Sequence, residues 1–322
     1  MGMIDSTHQD WDAQVQRLGG GILQGEAWAG FQESLGRDVL RENGNDWIWQ
    51  AFIRSSRGLK YLIVPYGPVV QSGLKEAIDI MVFAADEQDC DFVRIEPVGT
   101  VSPEALGKLG ARQIKELQPQ HTFVLDLRPS EVDLRTGLES GHRNRINTTE
   151  KRGIKIRQVR DMTPFNDFIR LMDDTARHAK IVNYSDNYFY RLSEELIEKG
   201  IASFYVSTVE DGKPASISLV YDWGQRRYYA HTGNDQVLNR QYNVAVSAVW
   251  QMILDAKQQG LDEFDFWGAA PDDSADHKWA GITSFKKGFG GNRVSTIGTW
   301  DIPLKRSKYM AYQVYRRLRG FE

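Results

Sequence analysis

Two segments of this chain, 171 residues apart, spell the same order of elements, and that pairing limits its possible folds more than any other feature. Residues 74–97, LKEAIDIMVFAADEQDCDFVRIEP, set Leu74, Ile78, Met81, Val82 and Ala85 on one side of a helix, then pass through a short turn into a strand. Residues 243–268, NVAVSAVWQMILDAKQQGLDEFDFWG, read the same way. With Ala85 laid on Ala256, Asp91 falls on Asp262, Val93 on Phe264, Ile95 on Phe266 and Pro97 on Gly268. Strands precede each helix: 47–54 and 60–65 before the first; 203–209, 215–221 and 226–232 before the second, with a hairpin turn at Glu210-Asp211-Gly212-Lys213. The expectation is an α/β protein made of two copies of one unit, each with a mixed sheet. Helical patterns at 134–151, 163–180 and 186–199 separate the copies, without the sustained heptads of a long coiled-coil arm.

Length agrees with duplication. At 322 residues, 41% hydrophobic and 26% charged, the chain is ordinary globular material with enough length for two cores. It contains no apolar run able to span a bilayer, and MGMIDSTHQDWD is acidic and polar where a signal peptide would be basic and then apolar. A cytoplasmic protein is expected. The single cysteine, Cys90, excludes an internal disulfide and a cysteine-based zinc cage, and suits a small buried hydrophobe. Six scattered histidines form no HExxH or other ligand cluster, so no metal is expected, and no nucleophile elbow supports a Ser-His-Asp mechanism.

The net charge of −3 conceals local extremes. Arg143, Arg145, Lys151, Arg152, Lys155, Arg157 and Arg160 cluster against Glu150, and a second basic run, 305–319, interleaves Tyr309, Tyr312 and Tyr315. Such patches either hold phosphates or are simply solvated helix faces. In KWAGITSFKKGFGG (278–291), Phe285 and Phe289 would share a helix face while Lys286 and Lys287 leave in two other directions. Gly288, Gly290 and Gly291 would end the helix and allow close backbone approach. The segment reads either as an amphipathic core helix or as a site.

The order of LQGEAWAGFQESLG (23–36), VPYGPVV (64–70), HTFVLDL (121–127), RNRINTTEKRGI (143–154), DDTARH (173–178), YYAHTG (228–233), FDFWG (264–268) and SFKKGFGG (284–291) resembles the FemABX family. These are the aminoacyl-tRNA-dependent transferases that add residues to the stem peptide of peptidoglycan precursors. The resemblance covers nearly the whole sequence. It implies two fused acetyltransferase-type (GNAT-like) domains, 1–127 completed by 298–322, and 128–297.

The resemblance also implies the chemistry, aminolysis of the ester at the 3′ end of an aminoacyl-tRNA by an amine of a UDP-linked or lipid-linked muramyl peptide. Such a reaction needs alignment, a neutral nucleophile and oxyanion stabilisation, and no cofactor beyond the aminoacyl-tRNA co-substrate. Lys286 matches the family's functional lysine, with Phe285 shaping the adjoining wall. Arg177 matches an arginine that grips the precursor's diphosphate, where a planar guanidinium can pair twice; its rival role is a helix-surface ion pair with Asp173 or Asp174. Tyr229 matches a tyrosine lining the same groove, with either Tyr228 or Tyr229 facing inward. Trp28 and Gln32 complete the substrate-binding set, although Gln32 stands where some relatives have a phosphate-binding lysine, and Ile181 where another has a substrate-contacting tyrosine. Arg143, Arg145, Lys151 and Arg152 are the candidate tRNA-phosphate contacts.

Two other functions compete. An acyl-CoA-dependent GNAT enzyme cradles pyrophosphate on a Gly-rich turn opening a helix, but LNRQYNVAV (238–246) has no glycine and VVQSGLKEA (69–77) has Gly73 alone. A non-catalytic module binding tRNA or precursor fits the basic patches and leaves the Phe-Lys segment unexplained. The identity of the general base, the transferred amino acid and the oligomeric state stay open. With a lipid-linked acceptor, the 305–319 run would rest on the inner face of the membrane.

Overall fold

The computed structural model describes residues 8–179, 181–209, 211–274 and 276–318, which fall into two units divided at Gln120/His121 and Val294/Ser295. Glu210 of the anticipated hairpin turn, Lys180 and Arg319 lie outside the described residues. The first unit begins with helices α1 (His8–Arg17) and α2 (Glu26–Ser34), then strands β1 (Val39–Asn43), β2 (Trp47–Ser56), β3 (Leu59–Val64) and β4 (Val69–Val70). Next come α3 (Leu74–Glu87), β5 (Phe92–Ile95), β6 (Val98–Gly99), α4 (Pro103–Lys108) and β7 (Arg112–Ile114). The second unit holds β8 (His121–Asp126), α5 (Glu131–Gly137), α6 (Ser140–Lys151), β9 (Lys155–Val159), α7 (Phe165–Ala179) and α8 (Asp186–Glu198). It continues through β10 (Ala202–Thr208), β11 (Pro214–Trp223), β12 (Arg226–Asn234), α9 (Gln236–Tyr242), α10 (Val244–Gln258), β13 (Glu263–Asp265), α11 (Ala280–Lys287) and β14 (Asn292–Ser295). β15 (Thr299–Pro303) and α12 (Arg306–Leu318) belong to the first unit again.

The duplicated pattern is present in three dimensions. In the first sheet an antiparallel meander reaches β3, and β5 pairs parallel to it; in the second, β12 and β13 do the same. A parallel join needs a crossover, which α3 and α10 supply. The apolar face of α3, with Ala77, Ile78, Met81 and Ala85, packs on Val93, Ile95, Leu62 and Trp300, all buried. α10 packs Val249, Met252, Ile253 and Ala256 on Val220, Tyr229, Phe264 and Phe266, and Ile146 of α6 joins the same core. Having α6 as a neighbour as well as the sheet explains why α10 is apolar on more than one face.

Each sheet is completed by a strand from elsewhere in the chain. β15 inserts between β5 and β7, antiparallel to both; β8 lies between β13 and β14. HTFVLDL, read as the end of the first domain, is therefore a strand of the second sheet, with Asp126, Leu125 and Val124 opposite Glu263, Phe264 and Asp265. Alternation identifies a strand and leaves its partner unspecified. The helix expected at 134–151 is two helices, because Leu138 is extended (ψ 148°) and turns into the core. Among the described residues the longest helices, α7 and α10, have 15 residues each, so no coiled-coil arm projects.

Candidate active site

Alternation along β13 sends Phe264 and Phe266 into the core beside α10 and Asp265 to the opposite face. The strand then turns sharply. Trp267 (φ 54°) and Gly268 (φ 29°) are left-handed, and both carbonyls accept hydrogen bonds from Lys286 Nζ, at 2.7 Å for Gly268. A lysine ammonium has three donors, so one remains after these two bonds.

Lys286 is only 5% exposed. Burial pushes its pKa down to about 7, and the Asp265 carboxylate opposes that shift. Asp265 is itself buried; desolvation raises its pKa against hydrogen bonds from Thr122 Oγ1 at 2.6 Å and Trp267 N at 2.8 Å and the guanidinium of Arg226 at 3.7 Å. Both members of the pair are thus drawn toward their neutral forms. That property suits a centre that must handle a proton near neutral pH.

The helix carrying Lys286 is held from behind. Phe285 and Phe289 share a face, as their spacing implies, with ring centroids 5.3 Å apart and both against His142 of α6. His142 Nε2 donates to the Phe285 carbonyl at 3.0 Å. A Cβ on Gly288 would come within 2.5 Å of the His142 ring, so glycine is what lets α6 and α11 approach so closely. Lys287 leaves the other way, to Asp273 at 2.6 Å, which also pairs with Arg293.

On the Asp265 side of the sheet lies an aromatic cluster. A bulge at Ala230 pairs Val220 with Tyr229 and Leu219 with His231, which keeps Tyr228 and His231 on one face and sends Tyr229 to the other. The Trp267 ring meets Tyr228 at 5.5 Å and Tyr221 at 6.4 Å; Tyr221 meets His231 at 6.2 Å, and Tyr184 stacks on Tyr188 at 4.1 Å. Burial lowers the His231 pKa to about 4, so its ring is neutral at physiological pH. The Tyr221 hydroxyl is buried without a hydrogen-bond partner among the described residues, and burial raises its pKa well above the usual phenol value.

The other sequence candidates lie on separate elements. Tyr229 sits in the α10 core, stacked on Phe264, and Tyr228 is the tyrosine beside Trp267. Arg177, with a side chain 75% exposed, forms the helix-surface ion pair with Asp174. Trp28 and Gln32 are buried in α2 of the first unit, where Trp28 meets Phe31 edge-on and Gln32 Oε1 accepts from Arg37. Of the basic cluster, Arg143 donates to the Thr136 and Leu138 carbonyls and so caps α5, while Arg152 donates to the Gln241 carbonyl at 2.5 Å. Arg145 and Lys151 are exposed. Asp265, Thr122 and the left-handed turn were not singled out from sequence, although an Asp between two phenylalanines in an apolar strand was a usable signal.

No three His, Cys, Asp or Glu side chains converge on a metal-sized point among the described residues. At the start of α10, α9 ends directly on the left-handed Asn243 (φ 56°), and Asn239 Oδ1 takes the Ala245 N–H at 2.9 Å. A pyrophosphate cradle of the CoA-binding kind would need those N–H groups open.

Residues 108–213 and 198–317 match the FemAB family. Over 92 residues, 29% of this chain, the sequence is 28% identical to aminoacyltransferase FemA of Staphylococcus epidermidis and 27% identical to that of Staphylococcus aureus. The matched stretch covers 22% and 21% of those proteins, so this chain aligns with less than a quarter of their length. Its fold is similar to that of the FemX crystal structure, with a TM-score of 0.84 and 19% identity over 97% of this chain and 99% of that one. It is also similar to L-PGS from Bacillus licheniformis, with a TM-score of 0.62 and 14% identity over 96% of each chain.

Proposed function

Because the chain belongs to the FemAB family, we propose that it moves an aminoacyl group from aminoacyl-tRNA to an amine of a peptidoglycan-precursor stem peptide. The observation that carries this reading is the buried Lys286, fixed on the Trp267 and Gly268 carbonyls beside Asp265. The ester is already activated, so the protein must orient the reactants and stabilise charge. Lys286 has one donor left for the oxygen that becomes negative when the amine attacks the ester carbonyl. Its depressed pKa also lets it exchange a proton near neutral pH, where an ordinary lysine-type amine, titrating near ~10.4, would stay charged. Phe285, packed against His142, helps hold the helix that carries Lys286.

In this proposal Arg145 and Lys151 supply exposed cations for tRNA phosphates, whereas Arg143 and Arg152 hold local backbone and contribute indirectly. Arg177 remains a residue proposed to meet the muramyl-peptide acceptor, releasing Asp174 to do so. The test is turnover with aminoacyl-tRNA and UDP-muramyl-pentapeptide. Lys286→Met is expected to lose about two orders of magnitude in kcat, the scale seen when a charge-stabilising donor is removed, while its circular dichroism is unchanged. A folded variant with full turnover would refute the assignment.

A further inference from the structure

Helix α12 is held by one face and exposed on the other. Tyr309, 1% exposed, donates to Asp301 Oδ2 at 2.9 Å, and Tyr312 stacks on Phe92. With those side chains fixed inward, Met310, Val314 and Leu318 point outward at 62%, 55% and 81% exposure. Their i, i+4, i+8 spacing makes a continuous apolar stripe about 12 Å long at 1.5 Å per residue. Arg306 and Arg317, four residues before and seven after Met310, run along the same side and are exposed. No Asp or Glu occurs between Lys305 and Leu318, in a chain whose net charge is −3.

Beside this helix is a groove of about 470 Å³, walled by Arg57 and Gly58 of the β2–β3 turn, by Leu59 at the start of β3, and by Lys308, Tyr312 and Tyr315 of α12. The Arg57 guanidinium lies 5.3 Å over the Tyr315 ring. In an adjoining pocket Asp89 pairs with Lys305 at 2.5 Å and Asp91 with Lys308 at 3.1 Å.

We propose that α12 is a membrane-docking helix for an anionic bilayer, with Met310, Val314 and Leu318 entering the acyl boundary and the groove beside Arg57 seating a lipid headgroup whose phosphate competes with Asp91 for Lys308. An apolar stripe edged by arginines and lacking acids has the composition of an interfacial helix, whose long cationic side chains reach back to headgroups while their stems cover apolar surface. A second copy of the chain is a poorer occupant, because a two-fold contact would set the same arginines against each other. The net negative charge means that attraction to an anionic surface is local and therefore orienting. This surface is separate from the transfer reaction and is tested without it.

The experiment is co-sedimentation with vesicles of phosphatidylcholine alone and of roughly one part phosphatidylglycerol to three parts phosphatidylcholine. Binding is expected to the anionic vesicles only, and to weaken with added salt. Val314→Asp with Leu318→Asp is expected to cut partitioning at least tenfold, and Arg306→Glu with Arg317→Glu to do the same while keeping the apolar stripe; each figure is an order-of-magnitude estimate. Turnover on a soluble UDP-linked acceptor is expected to be unchanged in all four substitutions, which separates this inference from the catalytic one. Equal sedimentation with both vesicle types, no loss in either double variant, or a dimer that the aspartates dissolve would overturn it.

Discussion

With a pKa of about 7 in the folded protein, Lys286 carries roughly half a charge at neutral pH, whereas in the unfolded chain it titrates near ~10.4. Between those values the unfolded state holds the extra proton, so raising the pH favours the folded state; below about 7 both states are protonated and the contribution is flat. The stability of the wild type relative to Lys286→Met should therefore rise above about pH 7, by up to ~1.4 kcal/mol per pH unit, and level off near ~10.4. Urea titrations of both proteins at several pH values measure this, and a difference independent of pH would contradict it. The spacing of SFKKGFGG shows which phenylalanines share a face but not which adjacent lysine is buried. That choice depends on two left-handed residues, Trp267 and Gly268, almost twenty positions away, and a 3.6-residue period carries no information about them. For Arg177 the spacing was informative, since Asp174 stands three residues before it on the same helix.

Helix α7 presses directly onto β12, and Gly233 is where the backbones come nearest. A Cβ there would lie 2.5 Å from the backbone of Leu171 and Met172. No flexible side chain can yield at that point, so Gly233→Ala should destabilise the protein by about 2–3 kcal/mol, read as a lower urea midpoint at unchanged slope. If the midpoint holds, the helix is less tightly seated than it appears in these contacts. At this scale much was legible: α3 with β5 and α10 with β13 keep the 171-residue offset because each helix buries one stripe and each strand alternates. Pairing was less legible. Nothing within HTFVLDL says that it will lie beside FDFWG, since both are short apolar strands with several possible neighbours.

Across the whole first unit, long-range ties are concentrated at Asp301. Fully buried, it accepts from Arg94 Nε at 2.7 Å, Arg94 Nη2 at 2.9 Å and Tyr309 hydroxyl at 2.9 Å, joining β15, β5 and α12. Desolvation opposes the Arg94 charge, yet its carboxylate partner more than compensates and holds its pKa above the usual guanidinium value. Asp301→Ala would leave that charge buried alone and should cost about 3–5 kcal/mol, with unfolding monitored by tryptophan fluorescence; a loss below about 1 kcal/mol would mean that water reaches Arg94. The position of β15 has a further bearing on synthesis. A ribosome delivers β5 and β7 early, but the strand that belongs between them emerges only after the entire second unit, roughly ten to forty seconds later at ordinary elongation rates. Through that interval the first unit carries two unsatisfied strand edges, so it completes its sheet only after the second unit has been made and needs shielding by chaperones until then.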